Sequence, residues 1–191
     1  DRVFTIRGFG TVVTGTLFSG TIRVEDRIEI YPKGIEAKIR GLQVHNASVL
    51  EAVAGQRTAI NLQGIDKVEL ERGDVLGHLG EFAPTFMLDA VLQHLPDAPR
   101  PLRHRARVRL HVGTSEIMGR VILLDRDELA PGAEAAVQFR LEAPAIVLPR
   151  DRFVIRSYSP VQTIGGGMVL DAQPTKHRRG VGHGVAHRTV S

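Results

Sequence analysis

Arg105, Arg107, Arg109 and His111 alternate with Ala106, Val108, Leu110 and Val112. On an extended strand that spacing sends the four basic side chains to one face and the apolar ones to the other. Like charges lined up on one face repel unless carboxylates or an anionic ligand answer them. Glu116, Asp125 and Asp127 are the acids that could do so within the fold, and RNA phosphates are the external alternative. A second basic run, Lys176-His177-Arg178-Arg179, follows Asp171, and no acid comes after it. Catalytic constellations are missing. The sequence has no cysteine, so thiol nucleophiles, disulfides and Cys-based zinc or iron–sulfur sites are excluded. No glycine-rich loop ends in Gly-Lys-Ser/Thr, and no serine sits in a nucleophile elbow. Gly165-Gly166-Gly167 lies between strand-like runs with no helix after it, and reads as a bulge or a close backbone approach. His183 and His187 are four apart but lack neighbouring carboxylates, so no metal site is assigned to them. The pattern is that of a binder, with no catalytic residue and no resident cofactor.

The elements that must position these residues are strands. Alternation of period two recurs in Arg27–Tyr31, Ala37–Val44, Thr58–Leu62 and Val137–Leu141, punctuated by glycine and proline. Phe86–Leu95 alternates too and is assigned as a strand. The chain has 191 residues, 42% hydrophobic, 24% charged and only 5% aromatic with no Trp, so aliphatic side chains must build the core. No stretch approaches the ~20 apolar residues that span a bilayer, so no membrane partner is expected. Many short strands at regular spacing give an all-β sandwich or barrel, and the two halves are each long enough for one of two consecutive six- to seven-stranded β-barrels. Residues 1–80 form the first barrel and 81–175 the second, with 176–191 as a flexible basic tail. Asp26-Arg27-Ile28-Glu29-Ile30 and Asp151-Arg152-Phe153-Val154-Ile155 echo one another as strand starts. The net charge of +4 suits a polyanion partner. Beginning on Asp1 and not Met, the chain is expected to be part of a longer protein.

The opening Asp1-Arg2-Val3-Phe4-Thr5-Ile6-Arg7-Gly8-Phe9-Gly10-Thr11-Val12-Val13-Thr14-Gly15-Thr16 resembles the start of the second domain of translational GTPases of the elongation factor Tu type. Ala54-Gly55-Gln56-Arg57 and Glu71-Arg72-Gly73-Asp74-Val75-Leu76 continue that resemblance. Arg107-Val108-Arg109-Leu110-His111-Val112-Gly113-Thr114, Ile164-Gly165-Gly166-Gly167-Met168-Val169-Leu170-Asp171 and Lys176-His177-Arg178-Arg179 look like the third domain of the selenocysteine-specific branch. Arg57 fits that branch, because general Tu-type factors carry Asn there.

The resemblance implies barrels that hold the acceptor end of selenocysteinyl-tRNA for delivery to the ribosome. It also implies a GTPase domain outside this chain, with GTP and Mg2+ bound there, a monomer, and a cytoplasmic setting. Asp1, Arg2 and Arg57 would form the aminoacyl pocket, with Arg57 as the main anion partner, Arg2 as the second and Asp1 as the orienting carboxylate. Glu51 would contact the terminal adenosine. Arg105, Arg107, Arg109, His111, Lys176, His177, Arg178 and Arg179 would grip the RNA backbone. The alternatives are the barrel pair of another Tu-type factor, or of a GTP-regulated enzyme subunit that binds a protein partner.

Overall fold

The computed structural model describes residues 1–6 and 10–177. The chain divides into two compact units, Asp1–Pro84 and Thr85 onward. Nearly every element is a strand, as the alternation requires. In the first unit these are β1 (Arg2–Ile6), β2 (Gly10–Thr16), β3 (Thr21–Arg23), β4 (Arg27–Tyr31), β5 (Ile35–Val44), β6 (Ala47–Val49), β7 (Glu51–Val53), β8 (Arg57–Gln63) and β9 (Val75–His78). The main sheet runs β1-β2-β8-β5-β4-β9, with β6 beside β5, and β3 and β7 form a separate ribbon. Its inward residues, among them Val13, Ile28, Ile30, Ile39, Leu42 and Leu62, make an aliphatic core.

The second unit comprises β10 (Thr85–His94), β11 (Leu102–Arg103), β12 (Arg107–Val112), β13 (Ser115–Leu123), β14 (Glu128–Leu129), β15 (Glu134–Ala145), β16 (Arg152–Ser157) and β17 (Thr163–Asp171). Six of them close a hydrogen-bonded barrel in the order β10-β15-β13-β12-β16-β17. Leu88, Leu92, Leu110, Leu123, Phe139 and Ile155 fill it and are completely buried. Phe86–Leu95, read as a strand, is β10 in all but its last residue.

Gly165-Gly166-Gly167 lies within β17 where that strand passes between β10 and β16. A Cβ at Gly165 would stand 2.8 Å from the Gln93 carbonyl oxygen, and one at Gly166 2.8 Å from that of Phe153. The three glycines are therefore a close backbone approach that closes the barrel, and not a phosphate cradle.

One turn recurs. In Arg23–Asp26, Val53–Gln56, Glu71–Asp74, His78–Glu81 and Leu148–Asp151, the fourth residue's N–H donates to the first residue's carbonyl. Its side-chain oxygen in turn accepts the first residue's N–H, at 2.7–2.9 Å. The third residue is left-handed each time: Glu25, Gly55, Gly73, Gly80 and Arg150 have φ of 78°, 88°, 104°, 70° and 76°. This explains the Asp26-Arg27 and Asp151-Arg152 echo. An Asp that caps its own turn is followed directly by a strand, β4 or β16. Because Val53–Gln56 and His78–Glu81 form the same turn without the echo, the likeness reflects turn chemistry.

Candidate functional site

In the first unit, β2 places Arg2 and Arg57 on one face. Arg2 lies opposite Thr14, Arg57 opposite Thr16, and residues two apart on a strand share a face. Strand parity alone would put Asp1 on the other side. Asp1 precedes β1, however, and there the chain is free of the pleat. Its backbone nitrogen donates to the Thr14 carbonyl at 2.7 Å, and its carboxylate accepts from Arg57 Nη1 at 2.6 Å. The pair is partly open to solvent, 58% for the Arg57 side chain and 31% for that of Asp1. Such a pair contributes about 0–1 kcal/mol to stability. Its geometric effect is larger: one guanidinium edge is fixed while the remaining N–H groups stay available. Arg2 has no partner among the described residues.

Two polar atoms that sequence reasoning missed lie on this face. Thr14 Oγ1 is buried and unpartnered, and so is the Asn61 side-chain oxygen, with Asn61 opposite Val12 in the same register. Buried polar groups are normally bonded, a threonine hydroxyl as donor or acceptor and an amide oxygen as acceptor. The strand register puts Thr14 one step along the sheet from Arg57 and Asn61 further on, toward Gly10, and no sequence signal marks either. Glu51 stands elsewhere. It belongs to the β3–β7 ribbon, and its carboxylate is held by Arg23 at 2.7 Å. A cavity of about 390 Å³ lies at the opposite end of β2 and β8, among Thr11, Arg40, Gln63, Asp66, Lys67 and Glu69. It does not include Asp1, Arg2 or Arg57.

The basic strand of the second unit differs from the expectation in two ways. β12 begins at Arg107, while Arg105 sits in a turn with φ 64°, its carbonyl accepting from Arg120 Nη1 at 3.1 Å. A left-handed residue breaks the alternation, so Arg105 does not join the ladder. The ladder that remains, Arg107, Arg109 and His111, is partly answered from within. Glu142 takes Arg107 through two bonds of 2.8 and 2.7 Å, and Glu116 takes Arg109 at 2.7 Å. These bonds hold the Glu142 and Glu116 carboxyls below the usual carboxylate range. Glu142 was not among the expected acids, and Asp125 pairs with Arg126 instead.

The charge is nonetheless larger than the ladder alone. Arg107 faces Arg120, which faces Arg140, in one row across β12, β13 and β15, and Arg109 faces Arg156 on β16. The Nε atoms of Arg109, Arg140 and Arg156 are buried without partners. Tyr158 lies beneath both ladder arginines, its ring centroid 4.7 Å from Arg107 and 5.6 Å from Arg109. Five arginines thus share a face with two carboxylates. Directly opposed like charges are unfavourable unless an anion answers them. Arg120, Arg140 and Arg156 escaped the sequence reading because they lie on three different strands.

Lys176 is exposed, whereas the His177 imidazole is bonded to Asp89 at 2.6 Å. Arg178 and Arg179 lie outside the described residues. Among the described residues no three His, Asp or Glu side chains cluster as metal ligands, and no helix is long and apolar enough to cross a membrane.

The chain is thus two all-β units, the second a closed six-stranded barrel, and both match translation-factor domains. Residues 10–77 match the family model described as elongation factor Tu domain 2. Residues 89–176 match the selenocysteine-specific elongation factor, beta-barrel domain. The chain belongs to the selenocysteine-specific elongation factors, as part of their barrel region. It is 46% identical over 179 residues to the selenocysteine-specific elongation factor of Desulfomicrobium baculatum, an alignment covering 94% of this chain and 28% of that protein. The Haemophilus influenzae protein of the same description is 33% identical over 181 residues, again covering 94% and 28%. Elongation factor 1-alpha of Archaeoglobus fulgidus is 30% identical over 199 residues, covering 91% and 45%. The chain thus spans little more than a quarter of the selenocysteine-specific relatives.

Proposed function

We propose that the two units are the tRNA-holding barrels of a selenocysteine-specific elongation factor, which delivers selenocysteinyl-tRNA to the ribosome. GTP and Mg2+ are bound by a domain outside this chain, and the setting is the cytoplasm. The first unit receives the aminoacyl end at Asp1, Arg2 and Arg57, and the arginine row of the second grips RNA phosphates.

The observation that carries this reading is the Arg57 guanidinium, held by Asp1 at 2.6 Å on a face where Thr14 and Asn61 keep unpartnered oxygens. The factor must accept selenocysteine and refuse serine, which differ by Se against O. Shape separates them poorly. A selenol is more acidic than a thiol, whose reference pKa is about 8.5, so it is anionic near neutral pH while the serine hydroxyl stays neutral. A charge-assisted bond to Arg57 contributes about 1.5–3 kcal/mol, roughly ten- to hundredfold in affinity.

The test is a titration with selenocysteinyl-CCA and seryl-CCA mimics under reducing conditions, followed by amide shifts in the unmodified chain and in Arg57→Ala. Selenium-specific shifts around Arg57 that fade in the variant support the reading. Equal response to both mimics, or none, removes Arg57 as the discriminating group in these barrels.

A further inference from the structure

The chain leaving β17 is tied down. Asp171 Oδ1 accepts the Gln173 N–H at 2.8 Å, and Ala172 joins the barrel core. Residues 175–177 then lie along the outward face of β10 and β15. Gln138 points outward from β15 yet is completely buried. Its amide nitrogen donates to Asp89 Oδ1 at 3.0 Å and to the Thr175 carbonyl at 2.9 Å, and its oxygen accepts the His177 N–H at 3.3 Å. His177 Nε2 lies 2.6 Å from Asp89 Oδ2, and Arg140 Nη2 donates to the His177 carbonyl at 3.1 Å. Burying an amide and half-burying a carboxylate is unfavourable unless both are satisfied. Here the strap itself satisfies them. Lys176 sits between two anchored residues, exposed and without a partner among the described residues.

We propose that His177 is a latch and not an RNA ligand: its bond to Asp89 holds residues 173–177 on the barrel wall, so that Lys176 extends the grip of the arginine row on an RNA backbone. Arg140 connects the two, because it belongs to the row and also bonds the strap. His177 is thus a positioning residue, and this role rests on the RNA-binding reading above.

Charge and geometry predict opposite signs for one substitution. Asp89→Ala removes a carboxylate near a phosphate-binding face, which by charge alone tightens RNA binding. If Asp89 anchors the latch, the same change weakens it. The experiment measures binding of an acceptor–T-arm RNA minihelix across a salt series, with deuterium exchange of the residue 177 amide read separately without RNA.

Asp89→Ala and His177→Ala are expected to lose amide protection and to lower the salt slope by about one unit, the value of one phosphate contact. Lys176→Ala lowers the slope equally but keeps the protection, and combining it with His177→Ala lowers the slope no further. His177→Gln, whose amide can still donate to Asp89, restores both. His177→Ala lies outside the strands, so it tests the latch even if Asp89→Ala disturbs β10. Tighter binding by Asp89→Ala, or an amide that stays protected in both alanine variants, overturns the latch. An unmodified chain that ignores the minihelix while showing the expected exchange pattern overturns the RNA reading and the role given to Lys176.

Discussion

Gly167→Ala tests whether the glycine run closes the second barrel. A Cβ at this position falls on the Val91 carbonyl oxygen, 2.9 Å from its carbon and 3.0 Å from Phe153 Cζ. The obstacle on the β10 side is backbone, which cannot rotate away as a flexible side chain would. β17 would have to move off β10 where Leu92 faces Gly167, opening a ring that has no other closure. Overpacking in a well-filled core costs about 1–3 kcal/mol, occasionally more. Ladder bonds strained on both flanks add about 1 kcal/mol each. We expect a loss of about 3 kcal/mol or more, a fall of roughly 12–24 °C in Tm if the unit melts alone. Gly15→Ala in β2 is the control, with its nearest foreign atom 4.0 Å away. There the change should be neutral or stabilising by up to about 1 kcal/mol, since glycine weakens a strand interior. Melting followed by hydrogen exchange assigns each change to its own unit. A Gly167→Ala loss below about 1 kcal/mol would falsify the close-approach argument, whose expected size exceeds any ordinary strand substitution.

Two further expectations concern stability. Arg150 is exposed at φ 76° in the turn that carries glycine at Gly55, Gly73 and Gly80. Arg150→Gly should therefore stabilise the second unit by about 0.5–1 kcal/mol, the left-handed cost of about 1–2 kcal/mol less the added freedom of the unfolded glycine, as read from denaturant midpoints. Glu116 and Glu142 are held low by their bonds to Arg109 and Arg107, so the folded state resists their protonation. That stability is present above the ordinary carboxylate range near 4.3 and is lost as pH falls below it. A Glu116→Gln/Glu142→Gln variant should flatten the acid limb of the stability profile in low salt, and an unchanged limb would refute the assignment.

Much of the fold was legible because one signal, alternation of period two, ran through most of the chain. It marked β4, β5, β8, β10 and β15 and sent the right residues inward. It failed at Arg105, where a positive φ interrupts a pattern that the residue types continue. Local turn chemistry overrode periodicity there. The candidate site was legible only in part, for a related reason. Asp1 and Arg57 could be named together from a resemblance, but Thr14 and Asn61 become neighbours only through pairing across β2 and β8. Likewise Glu142, the partner of Arg107, lies 35 residues away on a strand that does not pair with β12. No reading of nearby acids could have found it.

The two faces handle positive charge differently, and the difference bears on what each can discriminate. Arg57 has one dedicated carboxylate, with the unpartnered Thr14 hydroxyl on the same face, a small set suited to judging one side chain. The wall of the second unit spreads five arginines over four strands, with Glu116 and Glu142 trimming the repulsion while buried Nε atoms stay unbonded. Its ion pairs are partly exposed, and in the proposed function they would exchange for phosphate oxygens, an RNA contact by backbone that reads no sequence. On the proposed function, selectivity between selenium and oxygen would then rest on the first unit, with Arg57 as the main anion partner. If the proposal is right, removing Arg57 should abolish discrimination yet leave most of the salt-dependent RNA affinity in place, because the proposed phosphate grip lies on other strands. An Arg57→Ala variant that loses both together would refute that division.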